Sequence, residues 1–309
     1  MLNFKQKKIF GICLILILAI SIIGCSNKEE GLIAKVDGEG ITEEEFNTRF
    51  EIFKSISEQQ LGEGVLDQVN EETGKTREEE LKEDILEMLI MERLIANEAS
   101  KANIEVTDDE FNMVMSHYIE MMGGEEEFNK SLEDSLLTRE FLEENIKKDI
   151  LINKHKDYFI QNASVTEEEA REFFEENKDD LVVIRASHIL VKTEEEGKGI
   201  LERLNQGEDF AKLAEELSAD KASSVLGGDL GYFGKGSMIA EFEEAAFALN
   251  PGETSDLVKT EVGYHIIRVE DKKDTFESLK DDIISFLKEQ KYYDNLQEIR
   301  EKAKVKIFL

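Results

Sequence analysis

Apolar residues recur at helical spacing through much of the first half of the chain. Between residues 79 and 102 they lie three or four positions apart, as in a long amphipathic helix, and similar spacing recurs between residues 128 and 159. The apolar positions of the first of these helices are Leu81, Ile85, Leu86, Met88, Leu89, Leu94 and Ile95. Residues 32–36 have the short apolar run of a strand, followed by a turn at Asp37-Gly38. We therefore predict a mainly helical domain over residues 32–181, opened by a short strand.

Three segments share the sequence of a helix start. Each has a threonine with a glutamate three positions later: Thr42 with Glu45, Thr107 with Glu110, and Thr166 with Glu169. The threonine can accept from the first free N–H groups while the glutamate reaches back to the threonine backbone, and acidic residues in the first turn suit the helix dipole. The stretches between these segments share no period, so we predict separate helix starts rather than a solenoid repeat.

The pattern changes near residue 181. Strand-like runs at 181–191 and 264–269 enclose a helical stretch at 199–217 and a glycine-rich loop at 227–236, and the only proline, Pro251, lies in a turn. Helical spacing returns after residue 272, and the chain closes on a strand-like segment at 305–309. Because the two flanks are similar in character, we predict that residues 182–271 form a domain inserted in the helical one, which residues 272–309 complete.

The first 24 residues have the character of an export signal. Lys5, Lys7 and Lys8 precede an apolar run over residues 9–23, which is shorter than the roughly 20 apolar residues that span a bilayer. The run ends in Ile22-Ile23-Gly24-Cys25, which resembles the lipobox of bacterial lipoproteins. The resemblance implies a cleaved signal over residues 1–24, acylation of Cys25 as the membrane anchor, and a polar tether over residues 25–31. A free cysteine behind a simple export signal is the alternative.

Charge and cysteines narrow the classes of function. The chain has 70 acidic and 38 basic residues, a formal net charge of −32, so nucleic-acid binding is excluded. The acidic surface favours basic or unfolded cationic clients, or serves only solubility. Since Cys13 lies in the predicted signal, the mature chain retains one cysteine and forms no internal disulfide.

Two of the four histidines indicate a site. His188 and His265 each lie in a strand-like apolar run, with the glycine-rich loop between them in the sequence. His117 and His155 lie on helical stretches without metal-ligand partners at useful spacing, so we predict no metal site. A cluster of methionines at 113, 115, 121 and 122 is interpreted as helix packing, with an adaptable client-binding surface as the alternative.

An ordered series of motifs over residues 183–271 resembles the parvulin family of peptidyl-prolyl cis/trans isomerases. The series includes Ser187-His188-Ile189-Leu190-Val191, Gly227-Gly228-Asp229-Leu230-Gly231 and Gly263-Tyr264-His265-Ile266-Ile267. The resemblance implies an α+β fold in which a small antiparallel sheet is surrounded by helices. It also implies an apolar proline pocket formed by Met238 and Phe242, with Leu230 at its edge. No cofactor is expected.

The same resemblance implies the polar part of the site. His188 and His265 form a hydrogen-bonded pair beneath the pocket, with Thr260 nearby. Asp220 stands where some parvulins carry a cysteine, which argues against covalent catalysis, although the loop 221–226 needs a gap in the alignment. The loop after the first strand, at residues 192–196, carries three glutamates where phosphate-selective parvulins are basic. We therefore predict non-phosphorylated prolyl substrates.

Taken whole, the chain resembles the PrsA-type foldase lipoproteins of Gram-positive bacteria. Its opening segment, Ile33-Ala34-Lys35-Val36-Asp37-Gly38 followed by Ile41-Thr42, is similar to the chaperone domain of SurA-like proteins. The resemblance implies a lipid-anchored foldase on the extracytoplasmic face of the cell membrane, acting on unfolded or partly folded exported proteins, and allows two chains to pair as a homodimer. The alternative is a holdase-type chaperone with little or no isomerase activity.

Overall fold

The computed structural model describes residues 29–133, 135 and 137–308. The predicted signal and Cys25 lie outside the described residues. The helices are α1 (Glu43–Leu61), α2 (Arg77–Lys101), α3 (Asp108–Met121), α4 (Glu125–Glu133), α5 (Arg139–Asn162), α6 (Glu167–Leu181), α7 (Glu194–Asn205), α8 (Phe210–Leu217), α9 (Lys221–Ser224), α10 (Ala240–Phe247) and α11 (Phe276–Lys302). The strands are β1 (Leu32–Val36), β2 (Glu39–Thr42), β3 (Val183–Val191), β4 (Asp229–Gly234), β5 (Val258–Thr260), β6 (Gly263–Lys273) and β7 (Val305–Ile307). None of these helices combines the length and the apolar character that a bilayer crossing requires.

The described residues form two compact units. One contains residues 165–287, and the other contains the flanking stretches 29–164 and 288–308. In the flanking unit, β1 is the central strand of an antiparallel sheet in the order β2-β1-β7. Ala34 of β1 pairs with Ile41 on one side and Ile307 on the other, so the last strand of the chain hydrogen-bonds to the first. The apolar face of α2 packs in the same core as this sheet.

The helix starts predicted from the sequence follow that chemistry with one exception. The capping boxes at the starts of α3 and α6 form in full, and the start of α2 has another. At the start of α1, Thr42 accepts from the backbone N–H of Glu45, but the expected return contact is not made. The Glu45 carboxylate instead pairs with Arg93 at 2.7 Å and Lys148 at 3.3 Å. A charged partner from another helix therefore displaces the local backbone donor.

A buried ionic cluster joins three helices of the flanking unit. Arg49 of α1 is only 4% exposed, and its guanidinium contacts the carboxylate of Glu92 on α2. The same guanidinium donates to the side-chain oxygen of Asn145 on α5 at 2.7 Å. Lys148 lies 3.1 Å from the other Glu92 oxygen. Because a buried charge without a partner is costly, these contacts fix the mutual packing of α1, α2 and α5.

The second unit is built on an antiparallel sheet in the order β4-β3-β6-β5. Its central strand β3 pairs with β6 along its whole length, from Val183 opposite Lys273 to Val191 opposite Tyr264. Alternate residues of these strands enter two different cores, as the two-residue period of a strand requires. Ile184 and Ile267 pack with α10 on one face, whereas Ile189 packs with α7 and α8 on the other. The predicted α+β class is confirmed.

Two segments that the sequence analysis assigned to the helical domain also pack in this unit. Phe174 and Leu181 of α6 share a core with Val183 of β3 and with Phe276 and Leu279 from the first half of α11. Arg171 stacks over the Phe276 ring at 4.0 Å from its centroid. The helices that enter and leave the sheet domain are therefore held together at its base.

Candidate active site

Strand register brings the two sequence-predicted histidines together. His188 of β3 lies opposite Ile267 of β6, and His265 lies opposite Leu190. The two histidines are therefore diagonal neighbours on one sheet face, the face that also carries Ile184 and Ile267. The imidazole rings are stacked at 5.4 Å between centroids, and their Nδ1 atoms lie 3.2 Å apart. Both side chains are buried.

The histidine pair is part of a longer hydrogen-bonded chain. At one end, Nε2 of His265 lies 2.9 Å from Oγ1 of Thr260, the last residue of β5. At the other end, Nε2 of His188 lies 2.8 Å from Oδ2 of Asp220. Asp220 is the residue that caps α9, and its other oxygen accepts the backbone N–H of Ala222 at 3.1 Å. The four polar residues predicted for the site thus lie in one continuous chain.

Electrostatics give this chain a direction. Hydrogen bonds from Ser223 and His188 lower the pKa of Asp220 to about 2, so the carboxylate only accepts and Nε2 of His188 carries a proton. Burial, followed by the nearby His188, lowers the pKa of His265 to about 4, so that ring is neutral near pH 7.

Nε2–H of His188 donates to Asp220, which leaves Nδ1 of His188 to accept from Nδ1–H of His265. Nε2 of His265 then accepts from the hydroxyl of Thr260 at 2.9 Å, a shorter contact than the one that this hydroxyl makes with the Gly263 carbonyl at 3.3 Å. Each donor therefore points toward Asp220.

An aromatic ring separates the polar chain from the apolar part of the site. Phe242 of α10 is 3% exposed and meets the rings of both His188 and His265 edge-on, at 5.7 and 5.3 Å between centroids. Leu230 and Met238 are half-buried and pack against the same core. The three residues predicted to form the proline pocket therefore lie on the histidine side of the sheet.

Glycines allow the backbone to approach these elements closely. Gly228 has φ +87°, and its carbonyl accepts the backbone N–H of His188 at 2.9 Å. Gly263 has φ +147°, and a Cβ atom there would lie 2.4 Å from the carbonyl oxygen of Val191. A side chain at either position would push β3 away from its neighbours.

Sequence reasoning missed one residue of this cluster. Ser223 of α9 is buried, and its hydroxyl donates to Oδ2 of Asp220 at 2.5 Å while lying 3.1 Å from Nε2 of His188. The spacing alone could have predicted this contact, because a serine three positions after a helix-capping aspartate lies beside it after one turn. The alignment gap in loop 221–226 left the helix start at Asp220 unrecognised.

The described part of the chain has no cluster of three or more histidine, cysteine, aspartate or glutamate side chains placed to hold a metal ion. His155 is buried against Tyr292, with Nδ1 and the hydroxyl oxygen 3.3 Å apart. His117 is exposed.

The arrangement at His188 and His265 is a polar chain under an apolar surface, suited to binding a proline ring and polarising the amide beside it.

Two family models together match most of the chain. Residues 135–273 match the family model of the PPIC-type PPIASE domain, and residues 3–137 match that of the SurA-like N-terminal domain. The sheet domain is thus that of a parvulin-type peptidyl-prolyl cis/trans isomerase, joined to a SurA-like chaperone domain.

Relatives match nearly the whole chain. The foldase protein PrsA of Caldanaerobacter subterraneus subsp. tengcongensis is 37% identical, over 98% of this chain and 99% of its own. That of Geobacillus kaustophilus is 34% identical, over 93% of this chain and 87% of its own. The crystal structure of PrsA from Bacillus subtilis has 28% sequence identity to this chain and a TM-score of 0.34, and the match covers 90% of this chain and 94% of the solved chain. On the sequence matches, the chain belongs to the PrsA foldase family, and the family and its isomerase activity are as predicted. Its substrates are unfolded proteins.

Proposed function

We propose that this foldase is anchored in the cell membrane by a lipid on Cys25 and folds proteins newly exported to the extracytoplasmic face. Support comes from the lipobox-like Ile22-Ile23-Gly24-Cys25 and the preceding lysine-flanked apolar run. Labelling cells with a radioactive fatty acid tests the anchor. The parent chain should take up label and sediment with membranes, whereas Cys25→Ser should do neither. Label on the Cys25→Ser chain would contradict the anchor.

We further propose roles for the site residues. Rotation about an X–Pro bond must overcome a barrier of about 18–20 kcal/mol, most of it lost amide conjugation. Met238, Phe242 and Leu230 hold the proline ring in an apolar pocket, which excludes water from the amide. His188, His265, Thr260 and Asp220 supply a polar wall that stabilises the twisted amide over both planar forms. The observation that carries this proposal is the continuous hydrogen-bonded chain directly behind the Phe242 ring.

The experiment is catalysed cis/trans exchange of an Ala-Pro peptide, measured by NMR on the full-length chain in mild detergent. We expect His188→Ala to reduce kcat/KM at least a hundredfold, while the matched control His117→Ala, at an exposed helical position, leaves it unchanged. Equal rates in parent and His188→Ala would contradict the site assignment. A phosphoserine-proline peptide should be a poorer substrate than its unmodified counterpart because Glu194, Glu195 and Glu196 follow β3.

A second role, client holding, is favoured by the exposed face of α3. Met113 and Met121 are 69% and 71% exposed, although the opposite face of α3 packs through the buried Met115. Flexible methionines adapt to varied apolar segments. The variant Met113→Ser/Met121→Ser should be less able to prevent an unfolded client from aggregating, without any change in peptide isomerisation. Unchanged protection of the client would contradict this role.

Light scattering of the same samples tests whether two chains pair through the helical unit.

A further inference from the structure

One side chain in the site is placed to control another. Ser223 is 5% exposed and lies in the four-residue helix α9, one turn after Asp220. Its hydroxyl proton is directed at Oδ2 of Asp220, the same oxygen that faces His188. Its oxygen lone pairs are thereby turned toward Nε2 of His188 at 3.1 Å. Ser223, Asp220 and His188 therefore form a closed triangle of polar contacts.

The backbone of Ser223 is fixed independently of its hydroxyl. Its carbonyl accepts the N–H groups of Leu226 and Gly228, both at 2.9 Å. Gly228 in turn accepts from the backbone of His188. The position of the Ser223 oxygen is thus set by the same glycine loop that holds β3. Removal of the hydroxyl should leave this backbone arrangement in place.

Asp220 needs such a restraint because it is the least buried member of the polar chain. Its side chain is 27% exposed, against 8% for His188. A carboxylate at that exposure can rotate toward water and exchange its contact with His188 for hydration. The backbone contact to Ala222 holds only the other oxygen, Oδ1.

We infer that Ser223 is a positioning residue for the isomerase: its hydroxyl holds the Asp220 carboxylate against Nε2 of His188 and so fixes the direction of hydrogen bonds through the histidine pair. This inference rests on the proposed role of the histidine pair in catalysis. Without the hydroxyl, the Asp220 carboxylate turns partly to solvent. His188 then populates both tautomers, and the donors no longer all point one way.

The test compares Ser223→Ala with Ser224→Ala in the full-length chain. Ser224 is the next residue of α9 and is also buried, and its hydrogen bond to Asp220 runs from its backbone N–H to the Asp220 carbonyl at 3.0 Å, so alanine retains it. We expect Ser223→Ala to lower kcat/KM for the Ala-Pro peptide about tenfold, as loss of a hydrogen bond to a charged group implies. Ser224→Ala should stay within about twofold of the parent, and Ser223→Thr, which keeps the hydroxyl, should recover most of the rate.

A second readout does not depend on activity. With only four histidines in the chain, ¹⁵N-histidine spectra resolve each ring, and the parent should show His188 protonated at Nε2 and His265 at Nδ1. Ser223→Ala should give averaged ring-nitrogen shifts for both, and Ser224→Ala should not. Parent-like tautomers together with a parent-like rate in Ser223→Ala would overturn the inference, as would equal losses in the two variants. An inactive parent would instead contradict the catalytic role, while the spectra would still decide the function of Ser223.

Discussion

Gly228 lies so close to the active-site strand that even a methyl group should disable the enzyme. A Cβ atom at Gly228 would lie 2.4 Å from the carbonyl oxygen of His188 and 3.2 Å from its nitrogen. Gly231 offers a matched control. It also has a positive φ, +69° against +87°, but nothing lies within 4 Å of its Cβ position. The two alanine variants therefore share the backbone cost and differ in the contact with β3.

The expected magnitudes follow from that difference. An alanine in the left-handed region costs about 1–2 kcal/mol, which is the whole loss of stability expected for Gly231→Ala. Gly228→Ala adds overpacking of about 1–3 kcal/mol, because the nearest atom is the backbone oxygen of His188, which cannot rotate away. The total is about 2–5 kcal/mol. Relief of the contact displaces His188, and a shift of about 1 Å in a catalytic group costs about a hundredfold in rate.

Urea unfolding followed by circular dichroism gives the stabilities, and peptide exchange by NMR, recorded below each unfolding transition, gives the rates. Gly231→Ala should remain within about threefold of the parent rate, since the strain of about 1–2 kcal/mol is local. The reasoning is refuted if both variants lose the same stability and the same activity, because the close approach to His188 would then have no consequence.

Three other predictions follow from the contacts. Folding lowers the pKa of His265 from 6.5 to about 4. Between pH 6.5 and pH 4, His265 therefore binds a proton in the unfolded chain but not in the folded chain. Stability should therefore fall as pH drops from 6.5 to 4, by at most about 3 kcal/mol, and urea midpoints of His265→Gln should show a weaker slope. Arg49→Met leaves the buried Glu92 carboxylate without its closest partner, so the free energy of unfolding in urea should fall by about 3 kcal/mol. The double variant Arg49→Met/Glu92→Leu should recover part of this loss. Full stability of the single variant would contradict a structural role for the buried ionic cluster. Phe242→Leu keeps the pocket apolar but loses the ring contacts with the two histidines, which are worth about 0.5–1.5 kcal/mol each. We therefore expect kcat/KM to fall about tenfold or more, with little change in fold by circular dichroism. An unchanged kcat/KM would count against Phe242 as the floor of the pocket.

Local chemistry was readable from the sequence. Helical period, the threonine caps of α3 and α6 and the turn at Asp37-Gly38 depend on residues no more than about four positions apart, so the sequence holds all the partners. The strand-like setting of His188 and His265 was readable for the same reason. Which residues make up the site came from the resemblance to the parvulin family.

Long-range choices were settled only by the tertiary structure. His188 and His265 are 77 positions apart in the chain, and their contact depends on the register of β3 against β6. A shift of one residue would turn either side chain to the opposite face. The choice between competing partners was not predictable either. The Glu45 carboxylate pairs with Arg93 and Lys148 and not with the backbone of its own helix start. The hydrogen bond from Ser223 to Asp220 lies in a segment where the family resemblance needed an alignment gap. The sequence determined which groups can donate or accept, whereas packing decided which of them meet, because burial makes one specific partner far more favourable than water.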